Sequence, residues 1–167
     1  MKYIRLFLGS VIVLFFLITI ISLFIPSHIK LSKAINLKAG KEKVMSHISE
    51  PQNWKKWYPG LDSAEIIYGG EMIKGWVLDK NKKAKIELTK FTADEVQAEF
   101  TGGKTNPVLN GWKIMSYPGN DSVAVQWYMD FHLRWYPWEK FASLLLEKSY
   151  GSKMEQGLTN LKQVVEN

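Results

Sequence analysis

Val123-Ala124-Val125-Gln126-Trp127-Tyr128-Met129-Asp130-Phe131-His132 carries a large apolar side chain at every second position. Val123, Val125, Trp127, Met129 and Phe131 share one face of an extended chain; Ser122, Ala124, Gln126, Tyr128, Asp130 and His132 share the other. A repeat of two residues is the signature of a strand with one face turned to an interior. The same alternation recurs upstream. Val96, Ala98 and Phe100 oppose Glu95, Gln97 and Glu99, and Ala84, Ile86 and Leu88 oppose Lys85 and Glu87.

Six such segments are predicted, at about 64–68, 72–79, 84–91, 95–101, 108–117 and 122–132. They are separated by Gly69-Gly70, Asp79-Lys80-Asn81, Gly102-Gly103 and Pro118-Gly119-Asn120-Asp121. Short connections of this kind join antiparallel neighbours. Ahead of them, Ile29, Leu31, Ile35 and Leu37 alternate with Lys30, Ser32, Ala34 and Asn36 in a further strand. Val44, Met45 and Ile48 then stand at helical spacing before Pro51. Beyond Pro137 the period lengthens. Trp138, Phe141, Leu144 and Leu145 form one apolar stripe and Met154, Leu158, Leu161 and Val165 a second, with Tyr150-Gly151-Ser152 expected to kink or divide the helix between them. The fold class is therefore α+β: strand, short helix, six antiparallel strands and a long C-terminal helix that needs a sheet to cover.

Working outward to the N-terminus, Leu6 to Ile25 run without charge or proline, and Pro26 follows. Twenty helical residues span about 30 Å, the thickness of a bilayer's hydrocarbon core. A cleaved secretory signal has a shorter apolar region, about 7–15 residues, and small residues at its exit. Here the exit reads Ser22-Leu23-Phe24-Ile25-Pro26-Ser27. The expectation is a retained single-pass anchor in the cell membrane over residues 1–28, followed by one domain over 29–167. Lys2 and Arg5 favour a cytoplasmic N-terminus, whereas a count of Lys30, Lys33, Lys38, Lys41 and Lys43 would hold the domain on that same side. Long domains translocate with little regard to charge, so the reading leans to an extracytoplasmic domain.

The domain holds 20 basic and 16 acidic residues, a net of +4. That spread is unlike the clustered charge of nucleic-acid binders, so no nucleic-acid partner is expected. Lys80, Lys82, Lys83 and Lys85 are the only dense basic tract and read as a solvated hairpin tip. Without cysteine the chain has no disulfide, thiolate ligand or cysteine nucleophile. His28, His47 and His132 lie far apart in sequence with no metal-ligand spacing, so no metal is expected, and no cofactor fingerprint occurs. Tyr128, Asp130 and His132 are the best acid/base constellation, but alternation turns them outward. Oligomeric state is not legible.

The order β-α-β6-α, the segment Asn53-Trp54-Lys55-Lys56-Trp57-Tyr58-Pro59, the pair Val125 and Trp127, and the ending Gly157-Leu158-Thr159-Asn160-Leu161-Lys162 resemble the polyketide cyclase/dehydrase-like branch of the START-like (SRPBCC, helix-grip) superfamily. Only Gly69-Gly70 and Gly75-Trp76 approximate that branch's glycine-rich third strand. The resemblance implies a curved antiparallel sheet around the C-terminal helix, with a cavity between them used for lipids, sterols or polyketides. Phe100, Trp112, Val125, Trp127, Met129, Phe131 and Leu158 are the candidate cavity residues. Trp54, Trp57, Tyr58, Trp135 and Trp138 are candidates for a portal or membrane-contacting edge, with core packing or capping as the alternative for each. The expected function is binding of an apolar small molecule or lipid at the membrane. A polyketide-cyclase-like enzyme is the second reading, and a protein-interaction module with a filled cavity the third; no catalytic residue is named.

Overall fold

The structure, a computed structural model, describes residues 2–79, 84–102, 106–117, 119 and 121–167. Lys80, Lys82 and Lys83 of the basic tract, and parts of the turns after Thr101 and Tyr117, lie outside them. An apolar helix α1 (Lys2–Leu23) precedes strand β1 (His28–Leu37), helix α2 (Lys41–Ser49) and a 3-10 turn (Pro51–Lys56). Then come β2 (Glu65–Gly69), β3 (Met72–Val77), β4 (Lys85–Phe91), β5 (Glu95–Thr101), β6 (Val108–Ser116) and β7 (Val123–His132), and finally helices α3 (Pro137–Ser143) and α4 (Leu146–Glu166). The α+β element order expected from alternation, and the helix-grip arrangement implied by the family resemblance, are both observed.

The seven strands form one curved antiparallel sheet in the order β1-β7-β6-β5-β4-β3-β2. The first strand thus pairs with the last, across a register that sets Ile29 opposite Phe131, Lys33 opposite Trp127 and Leu37 opposite Val123. Every other strand pairs with its sequence neighbour, as short turns require. Because side chains alternate, this register places Val123, Val125, Trp127, Met129 and Phe131 on one face with Val96, Ala98, Ile86 and Trp76, all buried. Helix α4 lays Met154, Leu158, Leu161 and Val165 across that inner face. Lys33 extends from the edge strand to α4, pairing with Glu147 at 2.7 Å and Glu155 at 2.9 Å. These two carboxylates hold its ammonium well above the usual lysine range.

Two expectations about the C-terminal helices are corrected. Helix α4 runs unbroken through Tyr150-Gly151-Ser152, and the division falls earlier, at Leu144 and Leu145. A helical glycine costs only about 1 kcal/mol relative to alanine, so it need not end a helix. Gly151 is buried, and a Cβ there would lie 2.9 Å from a Glu147 carboxylate oxygen. The stripe Trp138, Phe141, Leu144 and Leu145 is exposed rather than core. Trp138 and Phe141 belong to α3 and Leu144 and Leu145 to the break after it, and α3 packs beside α1.

Helix α1 is long and apolar enough to cross a membrane, a property that a signal sequence near the N-terminus would share. Its exit is tied to α3. The Lys140 ammonium, on a residue only 5% exposed, donates to the Ile25 carbonyl at 2.7 Å and to Ser27 Oγ at 2.5 Å.

Candidate functional site

Between sheet and α4 the interior is filled on one side and open on the other. The filled side is a cluster of rings. The 3-10 turn folds beneath α2 because the Trp54 indole donates to the Ile48 carbonyl at 2.7 Å and the Trp57 indole to the His47 carbonyl at 3.0 Å. These bonds occupy acceptors at the helix end that have no partner within the helix. The two indoles meet Trp112, and Trp57 also meets Trp127, with centroids 5.4–6.2 Å apart. Trp112 and Trp127 face each other across β6 and β7. Buried Asn110 accepts from the Trp127 indole at 3.3 Å, while the Trp112 N–H is buried with no hydrogen-bond partner among the described residues.

The open side holds two lobes that share Phe100 and Tyr150. One, about 280 Å³, is walled by Tyr58, Leu78, Ala84, Trp127, Met129 and Met154. The other, about 160 Å³, is walled by Val108, Phe131, Ala142, Ser143 and Leu146, with Asn106, His132 and Glu139 at its rim. The second lobe therefore reaches α3, next to the point where α1 joins the domain.

Four of the sequence candidates, Phe100, Trp127, Met129 and Phe131, come together on these walls. Trp112, Val125 and Leu158 line neither lobe; each is packed in the core. Trp54 and Trp57 are interior as well and form no edge, because their N–H groups bond to α2. Tyr58 is a wall residue of the larger lobe. Trp135 and Trp138 stand exposed, at 65% and 62%. Sequence reasoning missed Tyr150 and Met154 as wall residues. The signal was present, since Tyr150, Met154, Leu158 and Leu161 continue one helical stripe.

The polar groups at the cavity are largely committed. Glu139 receives Arg134 Nε at 2.7 Å and the Arg134 amide at 3.0 Å, and the guanidinium holds its carboxyl below the usual range. Asn106 donates to the His132 carbonyl at 2.8 Å. Burial pushes the Tyr58 phenol well above the usual tyrosine range, so it stays neutral. An apolar wall with a few satisfied polar groups suits an apolar ligand.

Alternation places Tyr128, Asp130 and His132 outward, and the structure agrees. Tyr128 lies flat across Gly111, where a Cβ would come 2.1 Å from the ring, and donates to Glu95 at 2.5 Å. The contact lowers the Glu95 carboxyl, while burial and then Glu95 push the phenol up to about 12. Further along this face, the register of β1 and β7 sets His28 opposite His132, two histidines that sequence distance had separated.

A sequence model described as polyketide cyclase/dehydrase and lipid transport matches residues 28–166. The chain belongs to this family. Among solved structures, this family member is similar to a START superfamily protein from Mycobacterium smegmatis, at 15% identity and TM-score 0.60, covering 82% of this chain and 97% of that one. It is similar to the di-domain ARO/CYC StfQ of the steffimycin biosynthetic pathway at 8% identity and TM-score 0.63, covering 83% of this chain and 51% of that one. A third is norcoclaurine synthase from Thalictrum flavum, in complex with dopamine and hydroxybenzaldehyde, at 15% identity and TM-score 0.60, covering 84% and 88%. At these identities the likeness is one of fold. Among curated proteins, no sequence matches significantly.

Proposed function

We propose that this family member holds an apolar small molecule or lipid between sheet and α4, while a retained α1 keeps residues 29–167 at the membrane. The observation that carries the reading is the two-lobed cavity whose walls are mainly rings and aliphatic chains, with Asn106 and Glu139 at the rim of the smaller lobe already paired. The larger lobe, about 280 Å³, falls just below the ~300–1,000 Å³ of small-molecule sites. An open interior favours this reading over an interaction module with a filled one.

Lys140 makes the exit of α1 part of the domain. Its buried ammonium finds its oxygen partners on Ile25 and Ser27, so a cleavage beyond Ser27 would leave a charge without partners. Trp135, Trp138, Leu144 and Leu145 supply an exposed apolar edge beside the smaller lobe, suited to the interfacial layer where tryptophan gathers. A ligand drawn from the bilayer would reach the lobe there at high local concentration.

Native mass spectrometry of the full chain, released from membranes in mild detergent, tests the reading. An apolar adduct of defined mass, lost in Met129→Glu, is expected, because an unpaired carboxylate on that wall is costly. A chain free of adduct that also fails to take up added lipid would overturn it.

A further inference from the structure

On the outer face, where β1 begins and β7 ends, two imidazoles and a carboxylate converge. His28 and His132 are direct partners across the strands, and their rings stack with centroids 4.5 Å apart at 20°. Asp130, two residues before His132 on the same face, sends one oxygen between them. Oδ1 lies 2.5 Å from His28 Nε2 and 3.7 Å from His132 Nδ1. One ligand atom from each of the three lies within 4.8 Å of the other two. Among the described residues, the polar contacts of that carboxylate are the two imidazoles alone. Lys30, the strand partner of Asp130, instead holds its ammonium 4.0 Å from the centre of the Tyr128 ring.

We propose that His28, Asp130 and His132 bind a divalent transition-metal ion, with zinc the natural occupant of such a donor set. Two imidazole nitrogens and one carboxylate oxygen are ligands that zinc takes at about 2.0–2.2 Å, leaving a fourth position for water. Ligand atoms on such a tetrahedron stand somewhat over 3 Å apart, so the donor atoms must shift by about 1 Å and the stacked rings must turn until both ring planes meet at the ion. They are free to do so, because His28 and His132 are 59% and 66% exposed at the side chain, which also gives an ion its way in. The backbone beneath is fixed by the β1–β7 ladder and by the Leu133 amide, which donates to the Ser27 carbonyl at 2.7 Å.

The position gives the ion a consequence. His28 is the second residue after Pro26, so the metal would clasp the strand entering from α1 to the strand leaving for α3. It would stiffen the joint between anchor and domain. His28 and Asp130 lie on the opposite face of the sheet from the cavity walls, with His132 between them and the rim of the smaller lobe, and the site stands whether or not the cavity holds a ligand.

The test is a Zn²⁺ titration of the full chain in detergent micelles, without a histidine tag, in competition with a chromogenic chelator. One saturable site per chain is expected, together with visible d–d absorption when Co²⁺ replaces zinc. His28→Ala and His132→Ala should each weaken the site about tenfold or more, since even outer-shell partners of a metal site are worth 10–100-fold. Asp130→Asn, which preserves shape, should weaken it too, and His47→Ala should leave it unchanged. Because both histidines are exposed, the variants should fold, and unchanged near-UV circular dichroism would show it. Absence of saturable binding, or wild-type affinity in folded His28→Ala and His132→Ala, would overturn the proposal.

Discussion

Gly157 decides how closely α4 approaches the sheet. A Cβ there would stand 2.6 Å from the Trp127 ring and 2.9 Å from Pro59. Neither neighbour yields easily, since Trp127 is packed among other rings and its N–H is bonded to Asn110. Gly157→Ala should therefore destabilise by about 1–3 kcal/mol, the usual cost of overpacking, beyond any gain in helix propensity. A lowered urea midpoint at unchanged m would show it; an unchanged midpoint would mean the helix sits further out. Two tyrosines set the alkaline limit. Folding raises the phenol of Tyr128 to about 12 and that of Tyr58 further, against about 10 in the unfolded chain. The folded state then binds more protons than the unfolded one above that value, so stability is full below pH ~10 and drains as pH rises towards ~12. Tyr128→Phe should flatten that limb in urea midpoints measured against pH, and a limb of unchanged slope would contradict the assignment. Glu95 acts oppositely, its contribution being lost as pH falls through its lowered value.

At the scale of elements, α3 shows how a helical stripe can be read correctly and placed wrongly. Trp138, Phe141, Leu144 and Leu145 do share a face, but nothing local distinguishes a face turned to a sheet from one left exposed. Placement was set by Pro137 and by the break at Leu144–Leu145, which set α3 beside α1. Lys140 then fastens this helix to the exit of α1. Lys140→Met should remove both bonds and loosen the joint. Hydrogen exchange of the amides of residues 24–28 should speed up while those of β5 and β6 stay protected. Equal protection in the two chains would mean the ammonium does not hold the joint. The 3-10 turn is the converse case, since Trp54 and Trp57 were legible as a tryptophan pair. Their burial depends on carbonyls of α2 that only the folded turn brings within reach.

For the whole molecule, strand positions were legible to within a residue or two because the period of two is local. The pairing of β1 with β7 was not, since parity fixes which face a side chain takes but not its neighbour on the next strand. For the same reason Phe100, Trp127, Met129 and Phe131 could be chosen as inward residues, yet which inward positions are packed and which border space could not. Trp112 and Trp127 have the same parity and adjoin, and only the second meets the cavity. The sheet and α4 bury their apolar faces against each other without α1, so residues 29–167 are expected to unfold cooperatively in urea as an isolated domain. Their midpoint should lie below that of a chain beginning at Phe24, which retains the partners of Lys140; a domain that only aggregates would contradict a separate core. The central claim is that the space between sheet and α4 is a binding site. Its most direct test is displacement of a fluorescent fatty-acid probe from the full chain in nanodiscs, compared with Met129→Trp, which fills the larger lobe with an indole. Saturable probe binding that Met129→Trp abolishes while circular dichroism is unchanged is the expected result. Probe binding of equal affinity in both proteins, or none in either, would contradict it.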